Sequence, residues 1–490
     1  MSFVTGAAMR SLEEAAFARG VSAEALMDLA GEGIAERLIE QFSRPGSAIG
    51  YVGKGNNGGD ALVALRHLRE AGWRIAIRAA FPEEEWGELP RRKLRDLAIA
   101  PEIDVPRHKG SGPFLLLDGL LGIGAKGALR GPVAAMAEEM ATLRQNHGAV
   151  VAAMDLPSGL DADTGSGEAV IADLTLPVGV AKMGIASPNG VLRCGRVVLV
   201  PLKDLPLPDD SFLKFFCPEA FPGLLEPRAH GFHKGDAGRA GILAGSPGMT
   251  GAAVICTSAA LHAGAGLVTL HVEGDFPPHL LSAMPPEVMV RPSPDPVKEA
   301  FEARHDALVI GPGTGHASQH YHASLLEFLA SDERPIILDA DALNQIAKAG
   351  RLDLLKSNHV ITPHPGEFAR LAPELAGESA VTACGAFVQK HGCTLLLKGA
   401  RTLVAKSGQA IRFNPTGHAG MASGGQGDAL SGVIGTLLAQ GAESTDAASL
   451  GAWLCGRAGE RSLANGPIAT ASDTIRHLGG AIDDWRQRRR

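Results

Sequence analysis

YVGKGNNGGDALVALRHL, residues 51–68, carries an apolar run into a glycine-rich turn and on into a helix start. Gly53-Lys54-Gly55-Asn56-Asn57-Gly58 satisfies G-x-G-x-x-G, the spacing with which a strand–turn–helix unit receives a dinucleotide. That fingerprint also wants an acid about 20 residues on, closing the second strand and holding a ribose. The strand in question, RIAIRAA, offers Arg78 and no acid before Glu83. The turn therefore reads as a phosphate-binding helix start of another kind, and its paired asparagines need a reason of their own.

Outward from this turn, short apolar runs alternate with helical stretches: AIGYVG, WRIAIRAA, PFLLLDG, AVVAAMD, ADLTLPVG and GRVVLV. Such alternation predicts an α/β fold, a parallel sheet with helices on both faces in a Rossmann-like three-layer sandwich. Residues 1–45 read as helical, with apolar residues three and four apart and Ser22 as a cap. Residues 201–230 are rich in proline and break the pattern, so the boundary is placed there, with a first domain over 1–218 and a second over 225–490. The second domain alternates again through AGILAG, LVTLHVE, ALVIGPG, PIILDADAL, HVITPHPGE and TLLLKG, then a hairpin turning at Lys406-Ser407-Gly408. The motif order differs between the halves, so the architecture is shared without an internal repeat.

The chain has 490 residues, 62 of them glycine, and a net charge of −7. Glycine without a short repeat suits many strand-to-helix turns, and the acidic balance argues against a nucleic-acid partner. The basic end from Arg486 to Arg490 reads as a solvated tail. Six scattered cysteines without C-x-x-C spacing read as reduced thiols of a cytoplasmic protein with no zinc site. No apolar run reaches roughly 18 residues and the N-terminus lacks a signal-peptide core, so no membrane partner is expected.

In an open parallel sheet the carboxyl ends of the strands line the ligand crevice. Three first-half strands end there in polar residues: Lys54 to Asp60, Asp118, and Asp155 followed by Ser158. GIGAKG, beginning at Gly122, adds a flexible loop with a lysine. Asn57, Asp118 and Ser158 bring oxygens from three loops, which suits an alkali or alkaline-earth cation; the bland alternative is helix capping.

In the second half GMASGGQGDALSGVIGTLLAQG is the strongest motif. Gly424, Gly425 and Gly427 precede a helix with the apolar stripe Leu430, Val433, Ile434, Leu437 and Leu438. Bare N–H groups at that helix's positive end make an anion hole for a transferring phosphoryl group. Asp428 in the first turn can accept the proton of an attacking hydroxyl, or merely complement the helix dipole. No Walker A sequence exists, which excludes a P-loop kinase. His364 sits in TPHPGE between prolines that stiffen its loop. Asp339 and Asp341 end a strand and either support Mg²⁺ through water or cap the next helix. His233, His262 and His391 have no such context and are assigned to surface or core.

GKGNNGGDALVALRHL, DGLLGIGAKG, DLPSGLDADTG and LMDLAGEGIAE resemble the N-terminal domain of the bifunctional NAD(P)HX-repair enzymes. The resemblance implies an epimerase that interconverts the R and S hydrates of NADH or NADPH at the hydrated nicotinamide carbon. It implies substrate binding by Asn56, Asn57, Gly58, Gly59, Asp60, Gly122, Ile123, Gly124, Ala125, Lys126, Gly127, Ala128 and Asp155. Potassium ligation falls to Asn57, Asp118 and Ser158. On this reading the glycines serve phosphates, an asparagine serves a cation, and Asp155, near a labile centre, acts as acid–base.

The Gly-Gly-x-Gly-Asp run resembles the ribokinase-like superfamily. With HKGDAGRAGILAGSPGMTGAA, GPGTG, LDADALN, TPHPGEFARL and LLKGARTLVA, it is similar to that superfamily's ADP/ATP-dependent NAD(P)HX dehydratases. This implies a ribokinase-like α/β domain in which Ala252, Gly315, His364 and Asp428 contact NAD(P)HX. Lys398, Gly399, Ala400, Arg401, Thr402 and Gly427 would contact ADP or ATP, with Mg²⁺ accompanying the nucleotide. One departure stands out: His418 replaces an asparagine usual in the family. The likeness runs from Leu12 to about Leu478. It implies an enzyme whose first domain epimerises and whose second phosphorylates the S hydroxyl and eliminates phosphate, restoring NAD(P)H. Its partners are small molecules, and a homo-oligomer is expected. The rivals are a ribokinase-like small-molecule kinase fused to a nucleotide-binding module, and a first domain that only binds or scaffolds.

Overall fold

The structure, a computed structural model, describes residues 2–42, 44–102, 112–205, 211–221, 223–274 and 283–487. Of the basic tail, residues 488–490 lie outside the described residues. The chain divides into two compact units, Met1–Phe212 and Leu213–Arg490.

In the first unit six parallel strands lie in the order Arg74–Ala79, Ser47–Val52, Phe114–Gly119, Val150–Met154, Leu174–Leu176 and Arg196–Val197. The two strands that follow Ser47–Val52 in sequence flank it on opposite sides, so the winding reverses at its carboxyl end and a crevice opens there. Both faces are apolar, as the continuous runs required. Ile77, Leu115, Leu117 and Met154 pack against residues of the helices Ala23–Gln41 and Asn56–Glu70. Ile49, Leu116 and Val151 pack against those of Gly131–His147. Ser22 caps Ala23–Gln41 as expected, its Oγ accepting from Ala25 N at 3.0 Å. Residues 1–45 are not wholly helical, however. Phe3–Val4 forms a small parallel sheet with Ala181–Lys182 ahead of the helix Gly6–Ala18. Two residues are too few to show a period, which is why this pairing is invisible in the sequence.

Among the described residues the second unit holds a sheet of ten strands. Met289–Ser293, Leu267–Glu273, Arg239–Leu243, Ala307–Ile310, Ile336–Leu338, His359–Ile361 and Thr394–Leu397 run parallel, in that order. The hairpin Leu403–Ala405 and Ile411–Phe413 continues the sheet antiparallel, and Leu213–Phe215 adds at its edge. Phe216, just beyond, is buried and stacks on Trp485 with ring centroids 5.2 Å apart. Residues 213–218, assigned in sequence to the first domain, thus hold part of the second sheet and core. The helix Gln426–Ala439, buried from Ala429 onward, packs on Thr250–His262. Gly432 permits this contact, since a Cβ there would come within 2.2 Å of Cys256 O.

Candidate active sites

At the reversal point of the first sheet lies a cavity of about 520 Å³. Met9, Glu13 and Phe17 wall it from the first helix, Lys54 to Asn57 and Asp60 from the glycine turn, and Leu120 to Ala125, Asp155 and Lys182 from the later loops. Gly55 caps Asn56–Glu70 without a side-chain bond, so the N–H groups of Asn56 and Asn57, both lining the cavity, have no intrahelical acceptor. Gly58 and Gly59 do not line it. Their N–H groups donate to Gly55 O at 3.0 and 3.3 Å. A Cβ at either would come within 2.3 Å of Gly53 O or 2.5 Å of the Met27 side chain. Close packing, more than phosphate, requires glycine at these two positions. Gly122, Ile123, Gly124 and Ala125 line the cavity, whereas Lys126, Gly127 and Ala128 lie beyond its lining, Lys126 acting instead on Asp161. Arg78, where a ribose-binding acid was sought, pairs with Glu139 at 2.6 Å, joined by the buried Tyr51 hydroxyl at 2.7 Å.

Asn57, Asp118 and Ser158 do come together. Ser158 donates from Oγ to Asp118 Oδ1 at 2.6 Å and from N to Oδ2 at 2.8 Å. Asn57 Nδ2 donates to Leu121 O at 2.8 Å, and Leu121 N donates to Ser158 Oγ at 2.9 Å. Asp118 is fully buried, and no cationic side chain pairs with it among the described residues. Burial pushes its carboxyl up to about 6. A buried carboxylate without a counter-charge, bonded to the Ser158 hydroxyl and linked through Leu121 to the Asn57 side chain, is a set of residues that fits a weakly charged metal cation.

Asp155 takes φ +65°, the left-handed region, which costs a non-glycine about 1–3 kcal/mol. Its Oδ1 accepts from Val178 N at 3.0 Å and from the Lys182 ammonium. Two further carboxyls share the cavity. Burial, then Asp155 and Glu13, raises the Asp60 carboxyl well above the usual range, and burial raises Glu13. Sequence reasoning missed Glu13 and Lys182. The latter left one signal, as the lone charged residue between Asp173 and Arg193.

In the second unit Gly425, at φ +88°, turns the chain into Gln426–Ala439, leaving the N–H groups of Gln426, Gly427 and Asp428 as the open first turn. Gln426 clamps this turn, donating to Ala469 O and accepting from Thr474 Oγ1, both at 3.0 Å. At Gly427 a Cβ would stand 3.3 Å from Lys398 Nζ and 3.6 Å from Asp339 Oδ2. Lys398 Nζ lies 2.7 Å from Asp339 Oδ1, and Ser431 Oγ donates to Asp339 Oδ2 at 2.8 Å. Lys398 thus stands at the base of the anion hole, while Gly399 and Ala400 are exposed, with Arg401 and Thr402 beyond them. The Asp428 carboxyl is pushed up to about 6 by burial and by the neighbouring Asp339.

Asp341 opens the helix Asp341–Ala349 with its carboxylate about 3.0 Å from where a Gly315 Cβ would sit. Ala252 packs under Gly313, two residues before Gly315. His364 caps Pro365–Leu371, its Nδ1 accepting from Gly366 N at 3.0 Å and Glu367 N at 3.3 Å, and its ring is half exposed. Capping thus uses the Nδ1 edge, while Nε2 stands 3.5 Å from Glu367 Oε1. His418 caps the turn Ala419–Met421 through Nδ1, 3.1 Å from Gly420 N, and reaches Gly459 O from Nε2 at 2.9 Å. An asparagine at this position can cap the same way. Buried Glu367, 3.9 Å from Lys398 Nζ, and Ser431 belong to this cluster and were not read from the sequence.

A family model described as NAD(P)H-hydrate dehydratase matches residues 240–478, and one described as YjeF-related protein N-terminus matches residues 23–184. A bifunctional NAD(P)H-hydrate repair enzyme of Coxiella burnetii is 32% identical over 96% of this chain and 97% of its own. One of Mycobacterium tuberculosis is 35% identical over 87% and 86%. A crystal structure of a ribokinase-like superfamily protein from Enterococcus faecalis superposes with a TM-score of 0.51 at 25% identity, covering 57% of this chain and 98% of that one.

Proposed function

The chain belongs to the bifunctional NAD(P)H-hydrate repair enzymes, and from that premise we infer which residues carry its two reactions. The first unit epimerises R- and S-NAD(P)HX; the second dehydrates S-NAD(P)HX to NAD(P)H at the expense of ADP or ATP.

In the first unit the supporting observation is a pair of unlike carboxyls on one cavity, Asp155 beside an ammonium and Asp60 raised toward its neutral form. The hydrated carbon bears a hydroxyl and the ring nitrogen. Asp155 accepts the hydroxyl proton as the C–N bond opens to an aldehyde, and Asp60 protonates the nitrogen that receives the bonding pair. Rotation and reclosure return both protons and give the other epimer, so nothing is consumed. The first-turn N–H groups of Asn56 and Asn57 receive the dinucleotide's phosphates. Asn57, Asp118 and Ser158, with Leu121 O, would hold potassium, which would supply the counter-charge that Asp118 lacks.

In the second unit Gln426 to Asp428 cradle the transferring phosphoryl group, and Asp428 accepts the proton of the substrate hydroxyl that attacks it. The phosphoryl group's bond to the nucleotide breaks as the hydroxyl oxygen attacks; the C–O bond then breaks with its electron pair leaving on phosphate, the adjacent ring carbon gives its proton to water, and the double bond returns. Lys398, beside Gly427, offsets charge on that group. Asp339 is engaged with Lys398, so Asp341 is the carboxylate left for Mg²⁺ brought by the nucleotide. Among the described residues no helix is long and apolar enough to cross a membrane, and the six buried thiols support a cytoplasmic setting. The test is direct: incubate the protein with mixed NADHX epimers plus ADP or ATP and follow NADH absorbance. Both epimers should be consumed. A stable phosphorylated product without NADH would instead identify the small-molecule kinase.

A further inference from the structure

The Lys182 side chain is buried within the first unit. Its ammonium has three acceptors, Val178 O and Val180 O at 3.0 Å each and Asp155 Oδ1. Val178 N donates to the same carboxylate oxygen. Among the described residues no hydrogen bond reaches Asp155 Oδ2, while Asp155 itself lines the cavity. One oxygen is anchored and the other is left for a ligand. A buried ammonium is costly unless each N–H is matched, and here all three are.

What holds the lysine is the isolated two-stranded sheet, in which Val4 pairs with Lys182 and Phe3 with Ala181. This pairing contributes nothing to the six-stranded sheet, yet it leads into the helix that carries Met9, Glu13 and Phe17 to the cavity. We propose that Lys182 is a positioning residue for epimerisation: it locks Oδ1 of Asp155 so that Oδ2 meets the substrate, and the Phe3–Val4 pairing serves to fix it there. The charged groups facing this point are Glu13 from the first helix, with Arg10 near it, Asp60 from the glycine-turn helix, and Lys54 at the rim. Lys182 is the one buried cation among them.

The inference rests on the epimerase reading of this cavity, so the experiment begins with the full-length wild type converting R- to S-NADHX; failure there removes that reading and this proposal with it. Given activity, Lys182→Met keeps length but removes charge. The expected loss in kcat is about 10²-fold, within the range for disabled acid–base groups, with KM nearly unchanged. The acidic limb of the pH–rate profile should also move up by about 1–3 pH units, the usual effect of deleting an adjacent opposite charge. Amide exchange in Ser47–Val52 and Phe114–Gly119 reports whether the unit is folded. A folded Lys182→Met protein with kcat within about threefold of wild type, far short of that range, and an unmoved limb would overturn the proposal. If Lys182→Met unfolds the unit, Lys182→Arg decides: it keeps the charge, so the limb should stay in place while the longer side chain lowers kcat. A displaced limb in Lys182→Arg would also overturn it.

Discussion

Asp428→Asn separates catalysis from architecture in a single residue. The carboxyl is raised from 3.8 to about 6, first by burial and then by Asp339. A rise of about two units at roughly 1.4 kcal/mol each caps the folding cost of the ionised form near 3 kcal/mol. Partial exposure and screening bring the expectation to about 1–3 kcal/mol. The sign follows from the direction. A carboxyl whose folded value exceeds its unfolded one destabilises the fold above about pH 6, and the penalty fades as pH falls toward 4. Asparagine, uncharged throughout, should therefore stabilise the second unit at pH 7.5 and change little at pH 4. Dehydration should fall about 10²–10⁴-fold for want of a proton acceptor, and epimerisation should not change. Calorimetric melts at both pH values and NADH-regeneration rates on the same protein test this. Retention of more than about a tenth of the dehydration rate, against the lower bound for general-base loss, or a lower Tm at pH 7.5, refutes it.

Epimerisation should require potassium, and Asp118→Ala should lose both that dependence and most activity; an unchanged rate in potassium-free buffer would sink the assignment. Because the Asp118 carboxyl stands at about 6, the potassium needed for half-maximal rate should rise about tenfold per pH unit below that value. Residues 213–490 alone should dehydrate S-NADHX and leave the R epimer to slow spontaneous conversion. A fragment starting at 225 loses an edge strand and Phe216, and should be less stable by about 3–5 kcal/mol or more; equal melts would contradict the packing of Phe216 on Trp485. His271 and His305 are buried Nε2 to Nε2 at 2.9 Å, and burial pushes both down to about 4. Their contribution to stability is present above the unfolded value of 6.5 and lost between 6.5 and 4, by up to about 1.4 kcal/mol per pH unit for each ring. Acid titration of His271→Phe should flatten that slope, and an unaltered slope would assign the acid sensitivity elsewhere.

The alternation of strands and helices was legible because strands buried on both faces leave continuous apolar runs, as LLL at 115–117 does. Met289–Ser293, largely exposed at a sheet edge, holds only Met289 and Val290 as an apolar run before Arg291, too short to mark a strand. Asn57, Asp118 and Ser158 could be grouped in advance because each sits at or just past the carboxyl end of a parallel strand, and such strands deliver their ends to one crevice. Gly58 and Gly59 could not be separated from Gly55, since a glycine that admits a neighbour looks the same in sequence as one that admits an anion. Lys182 and Glu13 depend on a pairing between the two ends of the first unit, which no local pattern announces. Lys398 was read with its sequence neighbours, but its long side chain reaches back to Asp339 and Gly427.

The Phe3–Val4 pairing also fixes an order of events. Its partner strand lies almost the whole length of the first unit away along the chain, and contacts so distant close late because loop entropy must be overcome first. On the ribosome, the six-stranded sheet can begin to assemble while the first residues still wait for Ala181 and Lys182. The wall carrying Met9, Glu13 and Phe17 would then close only after the first five parallel strands have emerged. A chain stalled or clipped before Lys182 would keep its glycine turn yet lack the ammonium that anchors Asp155.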